Sequence, residues 1–157
     1  MVLYNYSYFL EPMITLKRAI LSDWPEIAKI EKSSNSNTYS ARVLEKEIKD
    51  YIKKDFVFLI KNKTVTAGLA SFKLLKKKTA HCNGLVIYPK FRRKGFGVKA
   101  MSLLLKRMNK YPRVELVVHP HNTSAISLYF SLGFIIEGWR DNYFGDGEPR
   151  LMMIKKK

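Results

Sequence analysis

The chain has 157 residues, of which 46% are apolar, and its 29 basic and 13 acidic residues give a formal net charge of +16. This length suits one globular domain with a hydrophobic core, and no apolar run reaches the roughly 18–20 residues of a membrane helix. The single cysteine, Cys82, excludes an internal disulfide and a cysteine-based zinc site. We therefore expect a cytoplasmic protein without a membrane segment or a bound metal.

The excess of positive charge predicts attraction to polyanions, including nucleic acid and phosphorylated ligands. The cations are spread along the chain, however, so a lysine-rich solvated surface explains them equally well. Contact with nucleic acid or a ribosome is therefore an expectation from charge alone.

Hydrophobic periodicity in the first half of the chain predicts two helices between strands. Ser22 is placed to cap the first helix and Ser40 the second, because a serine oxygen accepts a hydrogen bond from a free helical N–H group. The predicted apolar faces are Trp24, Ile27, Ala28 and Ile30 in the first helix and Leu44, Ile48, Tyr51 and Ile52 in the second. The predicted strands are 14–17, 56–60, 64–75 and 79–88.

Residues 1–12 form an aromatic-rich leader ahead of the first clear strand. It is either an additional edge segment or a stretch upstream of a native start at Met13, and both alternatives stay open. The domain itself is predicted to span residues 13–157.

The most informative segment is Arg92–Gly97, which reads Arg-Arg-Lys-Gly-Phe-Gly. A buried strand containing Leu85, Val86 and Ile87 precedes it, and residues 98–108 follow with apolar side chains at helical spacing. The glycines therefore lie where a strand turns into a helix N-terminus. Free N–H groups and the positive end of the helix dipole bind anions there, so the segment predicts a site for a phosphate-bearing ligand.

The second half continues with a strand over residues 114–119. Asn122 then caps a shorter helix, and Gly133 ends it just past the last turn. Two final strands, 134–140 and 151–155, are joined by a turn at residues 145–147. The apolar face of the shorter helix is Ala125, Leu128, Tyr129 and Leu132.

This order of elements, with Arg-x-x-Gly-x-Gly and then Asn-x-x-Ala-x-x-x-Tyr-x-x-x-Gly-Phe, resembles the GCN5-related N-acetyltransferases (GNAT family), especially members acting on protein N-termini or ribosomal proteins. The resemblance runs from about Ile14 onward. It implies a single-domain α/β fold with a central, mostly antiparallel twisted sheet of six to seven strands. About four helices flank that sheet, which is splayed in the middle to hold coenzyme A. The matching positions are Arg92, Gly95, Gly97, Asn122, Ala125, Tyr129, Gly133 and Phe134.

The resemblance also implies acetyl-coenzyme A as cosubstrate. Backbone N–H groups of the loop would wrap the pyrophosphate, and the pantetheine arm would hydrogen-bond the preceding strand. Asn122 would touch the coenzyme arm in addition to capping its helix. The implied coenzyme-binding residues are Leu85, Val86, Ile87, Arg92, Arg93, Lys94, Gly95, Phe96, Gly97, Val98 and Asn122.

The implied reaction is acetyl transfer to a primary amine by direct attack in a ternary complex. The matching tyrosine, Tyr129, would donate a proton to the departing sulfur. Several family members carry a glutamate where this chain has Val117, so a glutamate base does not transfer. His81 on the preceding strand is the first candidate for the base, His119 the second and Glu115 the third. We expect His81 to share one face of its strand with Leu85 and Ile87, because side chains alternate along a strand.

The acceptor is expected to be a protein N-terminus, a lysine or a small amine, with a protein favoured because a basic enzyme repels a polycation. Tyr143, Asp141 and Glu148 are placed where they either meet an amine or close a hairpin, and the hairpin explanation is preferred. The chain is expected to be a monomer or a homodimer.

Two rival interpretations remain at this stage. The fold could be a non-catalytic module that binds coenzyme A or RNA, which the missing glutamate at Val117 and the charge favour. Gly95-x-Gly97-x-x-Ala100 also matches a dinucleotide-binding fingerprint, with Glu115 downstream. That fingerprint normally follows the first strand of a parallel sheet, whereas several strands precede it here.

Overall fold

The computed structural model describes residues 12–36, 41–76 and 78–156. It contains one seven-stranded sheet in the order β1-β2-β3-β4-β5-β7-β6, in which the β4–β5 pair is parallel and the other pairs are antiparallel. This confirms the predicted α/β fold with a mostly antiparallel sheet and four α-helices. The elements are β1 (Ile14–Arg18), α1 (Trp24–Lys32), α2 (Glu45–Lys54), β2 (Phe56–Asn62), β3 (Val65–Leu75), β4 (Thr79–Ile87), α3 (Phe96–Arg107), β5 (Arg113–Val118), α4 (Thr123–Ser131), β6 (Ile135–Arg140) and β7 (Arg150–Lys156).

The sheet buries a different apolar layer on each face. On one face α1 and α2 cover a cluster that includes Ile27, Ile48 and Leu69, all without solvent exposure. On the other face α3 supplies Met101 and Leu104, which are equally buried and pack against the remaining strands. Two helix layers around one sheet leave the strand ends as the places where a site can open. Within the described ranges no helix is long and apolar enough to cross a membrane.

Two predicted helix starts are wrong, and both depended on a serine cap. Ser22 lies inside a short 3-10 turn, Leu21–Asp23, in which Asp23 Oδ2 accepts the Ile20 N–H at 2.9 Å. The second helix begins at Glu45, after an extended Leu44 that is exposed and belongs to no buried face. Ser40, its predicted cap, lies outside the described residues, as does the leader up to residue 11.

The fourth helix follows its prediction closely. Asn122 Oδ1 accepts the Ala125 N–H at 3.2 Å, and Gly133 takes a positive φ of 82° just after the last turn. The third helix begins two residues earlier than expected, at Phe96, so the second loop glycine lies in its first turn. Gly95 precedes it with a φ of 78°, a conformation that a side chain disfavours.

A β-bulge at Asn83 reverses the expected side-chain pattern of β4. Ser71 pairs with Gly84 but the next residue, Phe72, pairs with Cys82, so Asn83 is inserted between two register positions. An inserted residue shifts the alternation by one. His81 therefore does not share a face with Leu85 and Ile87, and the prediction that it does is wrong.

The bulge is held by a chain of three hydrogen bonds on the face covered by α1 and α2. The Tyr51 hydroxyl donates to Ser71 Oγ, and Ser71 donates to Asn83 Oδ1 at 2.8 Å. Asn83 Nδ2 in turn donates to Asp55 Oδ2 at 2.6 Å. Gly84 must lack a side chain here, since a Cβ would lie 2.5 Å from Ser71 Oγ and 2.7 Å from the Tyr51 hydroxyl.

Candidate active site

The two parallel strands in the middle of the sheet separate halfway along their length. The pairing of β4 with β5 covers residues 79–82 against 113–116 and stops there. The last residues of β4 remain paired with β3 on their other side. Among the described residues, the backbone of Leu85–Ile87 therefore has no strand partner on the β5 side, and a cleft opens at this point. The predicted splaying of the sheet is confirmed.

The start of α3 points unpaired backbone N–H groups at this cleft. The first hydrogen bond within the helix runs from the Lys99 N–H to the Gly95 carbonyl at 3.1 Å. The N–H groups of Phe96, Gly97 and Val98 precede that bond and have no acceptor within the helix. Together with the positive end of the helix dipole, they suit a diphosphate.

Gly97 also brings α3 close to α4. A Cβ at this residue would lie 2.9 Å from Leu128 Cδ1 and 3.9 Å from Ile87 Cγ1. The glycine therefore keeps the mouth of the cleft narrow without filling it. A longer side chain here would enter the space between Ile87 and Leu128.

The charged side chains of the loop have different surroundings. Arg92 Nε donates to the Ile87 carbonyl at 2.8 Å and Nη2 donates to Ser34 Oγ at 3.0 Å, so this guanidinium ties the loop to β4 and to the segment after α1. Lys94 Nζ donates to the Lys90 carbonyl at 2.9 Å. Arg93 is exposed, has a φ of 59° and makes no hydrogen bond with the described residues. Arg93 is thus the loop cation that a bound anion can recruit.

The cleft has a volume of about 720 Å³. It brings together all the predicted coenzyme-binding residues except Lys94, which points away, and Phe96, whose side chain is buried in the core. Sequence reasoning missed the serines on its walls, because a serine-rich loop resembles an ordinary solvated loop. The cleft is lined by Ser33, Ser34, Asn35, Ser36, Leu85, Val86, Ile87, Arg92, Arg93, Gly95, Gly97, Val98, Asn122, Ser124, Ala125, Ser127, Leu128 and Tyr129.

Tyr129 of α4 is the one predicted catalytic residue that lines this cleft. Its ring packs against Phe134 at a centroid distance of 5.7 Å. Its hydroxyl has no hydrogen-bond partner among the described residues, so the O–H remains available to a ligand. Burial, with a smaller contribution from the Cys82 thiol, raises the pKa of Tyr129 above its ordinary value. The phenol therefore stays protonated at neutral pH and acts as a donor.

His81 lies outside the cleft lining, at the last stretch where β4 and β5 are still paired. It faces Glu115 across the parallel pair, with Nδ1 3.2 Å from Glu115 Oε1. The second carboxylate oxygen of Glu115 accepts Arg113 Nε at 3.0 Å. Burial lowers the pKa of His81 below its ordinary value, partly opposed by the Glu115 carboxylate. At neutral pH the imidazole is therefore neutral, and hydrogen bonding to the carboxylate places its proton on Nδ1.

His119, the second candidate base, is buried just past the end of β5 with both ring nitrogens engaged. Its Nδ1 accepts the backbone N–H of His121 at 3.1 Å, which places the proton on Nε2. Nε2 then donates to Glu148 Oε2 at 3.0 Å. An imidazole held in this way has no free lone pair for a proton from an amine.

The acidic residues between β6 and β7 are bonded within the hairpin region. Glu148 contacts His119, Asp141 accepts the Trp139 indole N–H at 2.8 Å, and Asp146 pairs with Arg150 at 2.6 Å. These bonds agree with the preferred explanation that the residues close the hairpin. Each of these three carboxylates therefore already accepts a hydrogen bond from another side chain.

A sequence model of the acetyltransferase (GNAT) family matches residues 22–134. The chain belongs to the GNAT family. It is therefore an acetyltransferase, as predicted, and this favours the enzyme over the alternative of a non-catalytic module. The antiparallel sheet likewise excludes the dinucleotide-binding fold. No group of three or more metal-binding side chains lies close together among the described residues.

Three known proteins are similar to this chain in sequence or in fold. It is 27% identical over 153 residues to the N-alpha-acetyltransferase of Saccharolobus solfataricus, covering 90% of this chain and 92% of the relative. Its fold matches the ribosomal-protein-S18-alanine N-acetyltransferase of Escherichia coli with a TM-score of 0.77, 23% identity, and coverage of 92% and 94%. An acetyltransferase of Salmonella typhimurium, solved with its cofactor acetyl-CoA, gives a TM-score of 0.75, 18% identity, and coverage of 91% and 93%.

Proposed function

We propose that this protein transfers the acetyl group of acetyl-coenzyme A to the α-amine of a protein N-terminus. The observation that carries the proposal is the cleft in which the N–H groups at the start of α3, the free backbone of β4 and the Tyr129 hydroxyl meet. A diphosphate, an extended amide-containing arm and a thioester sulfur require these three features in this order.

The coenzyme contacts follow from the chemistry of those features. The N–H groups of Phe96, Gly97 and Val98 hold the diphosphate, with Arg93 as the mobile cation. The backbone of Leu85–Ile87 accepts and donates hydrogen bonds to the amide-containing arm, much as an added strand would. When bound, acetyl-coenzyme A supplies the thioester whose carbonyl carbon the amine attacks.

The nitrogen of the attacking ammonium must lose two protons in this reaction, the first before it attacks and the second as the tetrahedral intermediate collapses. The departing thiolate gains one proton. Tyr129 donates the proton to the thiolate, since its raised pKa keeps it protonated and its hydroxyl has no competing partner in the described part of the chain. The second proton from the nitrogen then restores the phenol.

His81 takes the first proton through water, since the ring lies outside the cleft lining. Glu115 holds the Nδ1–H of the ring, so the lone pair is on Nε2, and Arg113 Nε donates to the second carboxylate oxygen of Glu115. The lowered pKa of His81 makes the ring neutral and able to accept at pH 7. Glu115 is thus a positioning residue rather than the base itself.

An N-terminal α-amine is favoured over a polyamine for two reasons. The Saccharolobus solfataricus relative, which this chain matches over nine-tenths of its length, is named an N-alpha-acetyltransferase. The net charge of +16 repels a small polycation within about one Debye length, roughly 8–10 Å.

The test is a thiol-release assay with acetyl-coenzyme A and four acceptors. These are a peptide with a free N-terminus and no lysine, the same peptide with a blocked N-terminus, a blocked peptide containing lysine, and spermidine. We expect kcat/KM to be highest for the free N-terminus and near background for the blocked peptide. A preference for spermidine or for the lysine peptide would contradict the proposed acceptor.

A further inference from the structure

We propose that the end of the sheet opposite the cleft is a docking surface for the phosphate backbone of RNA. This surface, called the basic end, consists of the C-terminal ends of β1 and β7, the N-terminal ends of β2 and β5, and the turn that connects β3 to β4. The register aligns these points, since Arg18 pairs with Phe58, Leu75 with Thr79, Thr79 with Arg113 and Arg113 with Lys156. The cations that this alignment gathers are Lys17, Arg18, Lys53, Lys54, Lys73, Lys76, Lys78, Lys106, Arg107, Lys110, Arg113, Lys155 and Lys156.

Carboxylates at the basic end are few and already engaged. Asp55 accepts the amide of Asn83, while Glu115 and Glu137 both pair with Arg113. Most of the lysines, in contrast, form no ion pair or hydrogen bond with any residue in the described part of the chain. The unpaired set is Lys17, Lys53, Lys54, Lys73, Lys76, Lys78, Lys106, Lys110 and Lys156.

The opposite end of the molecule has a different balance. There the acids of the β6–β7 hairpin lie near Arg140 and Arg150, and Asp146 pairs with Arg150 at 2.6 Å. The opposite end also carries exposed cations without a hydrogen bond to the described residues, such as Lys63 and Arg93, but its acids lie among them, whereas the basic end gathers thirteen cations around three carboxylates. The unequal distribution therefore favours a ligand over solubility as the reason for the charge.

The shape of the basic end favours a linear polyanion. Its cations follow the strand ends from β1 to β7, five strand spacings or roughly 24 Å across. A nucleic-acid backbone presents closely and regularly spaced charges along such a line. The cleft lies at the end of β4 and the start of α3, whereas the basic end lies at the start of β4 and the end of α3. Bound RNA and bound coenzyme would therefore occupy separate surfaces.

The experiment measures binding of a fluorescein-labelled 20-nucleotide RNA of mixed sequence by anisotropy, over a range of sodium chloride concentrations. One variant carries Lys53→Gln, Lys54→Gln, Lys76→Gln and Lys106→Gln at the basic end. Its matched control carries Lys29→Gln, Lys32→Gln, Lys46→Gln and Arg140→Gln, which remove the same charge elsewhere. All eight side chains are exposed.

We expect the basic-end variant to bind the RNA at least tenfold more weakly than wild type at about 100 mM salt. Its plot of log affinity against log salt should be shallower by up to about 2.8 units, because each lost phosphate contact contributes about 0.7 for a single strand. The control should stay within about threefold of wild type. Affinity for coenzyme A should be the same in all three proteins, which separates this proposal from the proposed function.

Three results would overturn the proposal. Wild type could fail to bind the RNA at low salt, or both variants could lose affinity equally. The third is preferential binding to vesicles containing anionic lipid, or to an acidic peptide, under conditions in which the RNA does not bind.

Discussion

Replacing Tyr129 by phenylalanine removes one oxygen from the cleft and nothing else. Because that hydroxyl has no hydrogen-bond partner among the described residues, its loss leaves no buried donor or acceptor unsatisfied. The ring keeps its packing against Phe134. We therefore expect the free energy of unfolding to stay within about 1 kcal/mol of wild type.

Catalysis should respond much more strongly than stability. A positioned general acid contributes roughly 10²–10⁴-fold to the rate, so kcat should fall by at least about 100-fold, or about 2.7 kcal/mol in the activation barrier. The coenzyme dissociation constant should change little, because the diphosphate contacts lie at the start of α3. Burial raises the pKa of Tyr129, so the wild-type rate should show no alkaline decline from this group below about pH 10.

The assay is steady-state thiol release with the free N-terminal peptide, together with calorimetry for coenzyme A and chemical denaturation for stability. Tyr111→Phe is the matched control, since Tyr111 is also partly buried but lies after α3, away from the cleft. An unchanged kcat in Tyr129→Phe would show that the hydroxyl takes no part in catalysis and that the ring serves only in packing. A large loss of stability would contradict the finding that its hydroxyl is unpaired.

Three further predictions address the loop, the base and the bulge. Gly97→Glu should weaken coenzyme A binding more than 100-fold, measured by calorimetry, whereas Ser102→Glu on the same helix should not; equal affinities in the two would refute the loop assignment. In wild type the rate should fall at acidic pH, below pH 6.5, because burial and Lys73 lower the pKa of His81. His81→Gln should abolish this fall. Glu115→Gln should move that fall to still lower pH, since Glu115 and Asp55 favour the protonated ring; a profile unchanged in both variants would exclude His81 as the base. Gly84→Ala should destabilise the fold by about 1–3 kcal/mol, because its Cβ would meet Ser71 Oγ at 2.5 Å. Gly138→Ala, with no atom within 4 Å of the added carbon, should stay within about 0.5 kcal/mol in the same denaturation experiment, and similar losses in the two would contradict the packing of the bulge.

Much of the fold follows from local signals in the sequence. Asn122 and Gly133 each satisfy a specific backbone requirement at one end of α4, and the structure places both as predicted. The serine signal at Ser22 was less reliable. A serine in a loop stabilises turns as readily as helix starts, so its presence alone does not locate the first helical residue.

The site was predicted less completely than the fold, because it depends on contacts between residues that are distant in the sequence. The inserted Asn83 reverses the alternation of β4, and it is specified by partners on other elements, Ser71 and Asp55. The guanidinium of Arg92 bonds Ser34, a residue almost sixty positions away, and no local pattern predicts that contact. Long-range contacts of this kind leave no periodic trace in the sequence.

The central claim is that the backbone at the start of α3 and along the free half of β4 binds coenzyme A. It is tested most directly by following backbone amide resonances of the isotope-labelled protein as coenzyme A is added. We expect the largest shifts at Phe96, Gly97, Val98 and Leu85–Ile87, saturating with a single dissociation constant. An absence of shifts, or shifts confined to residues outside the cleft, would contradict the account.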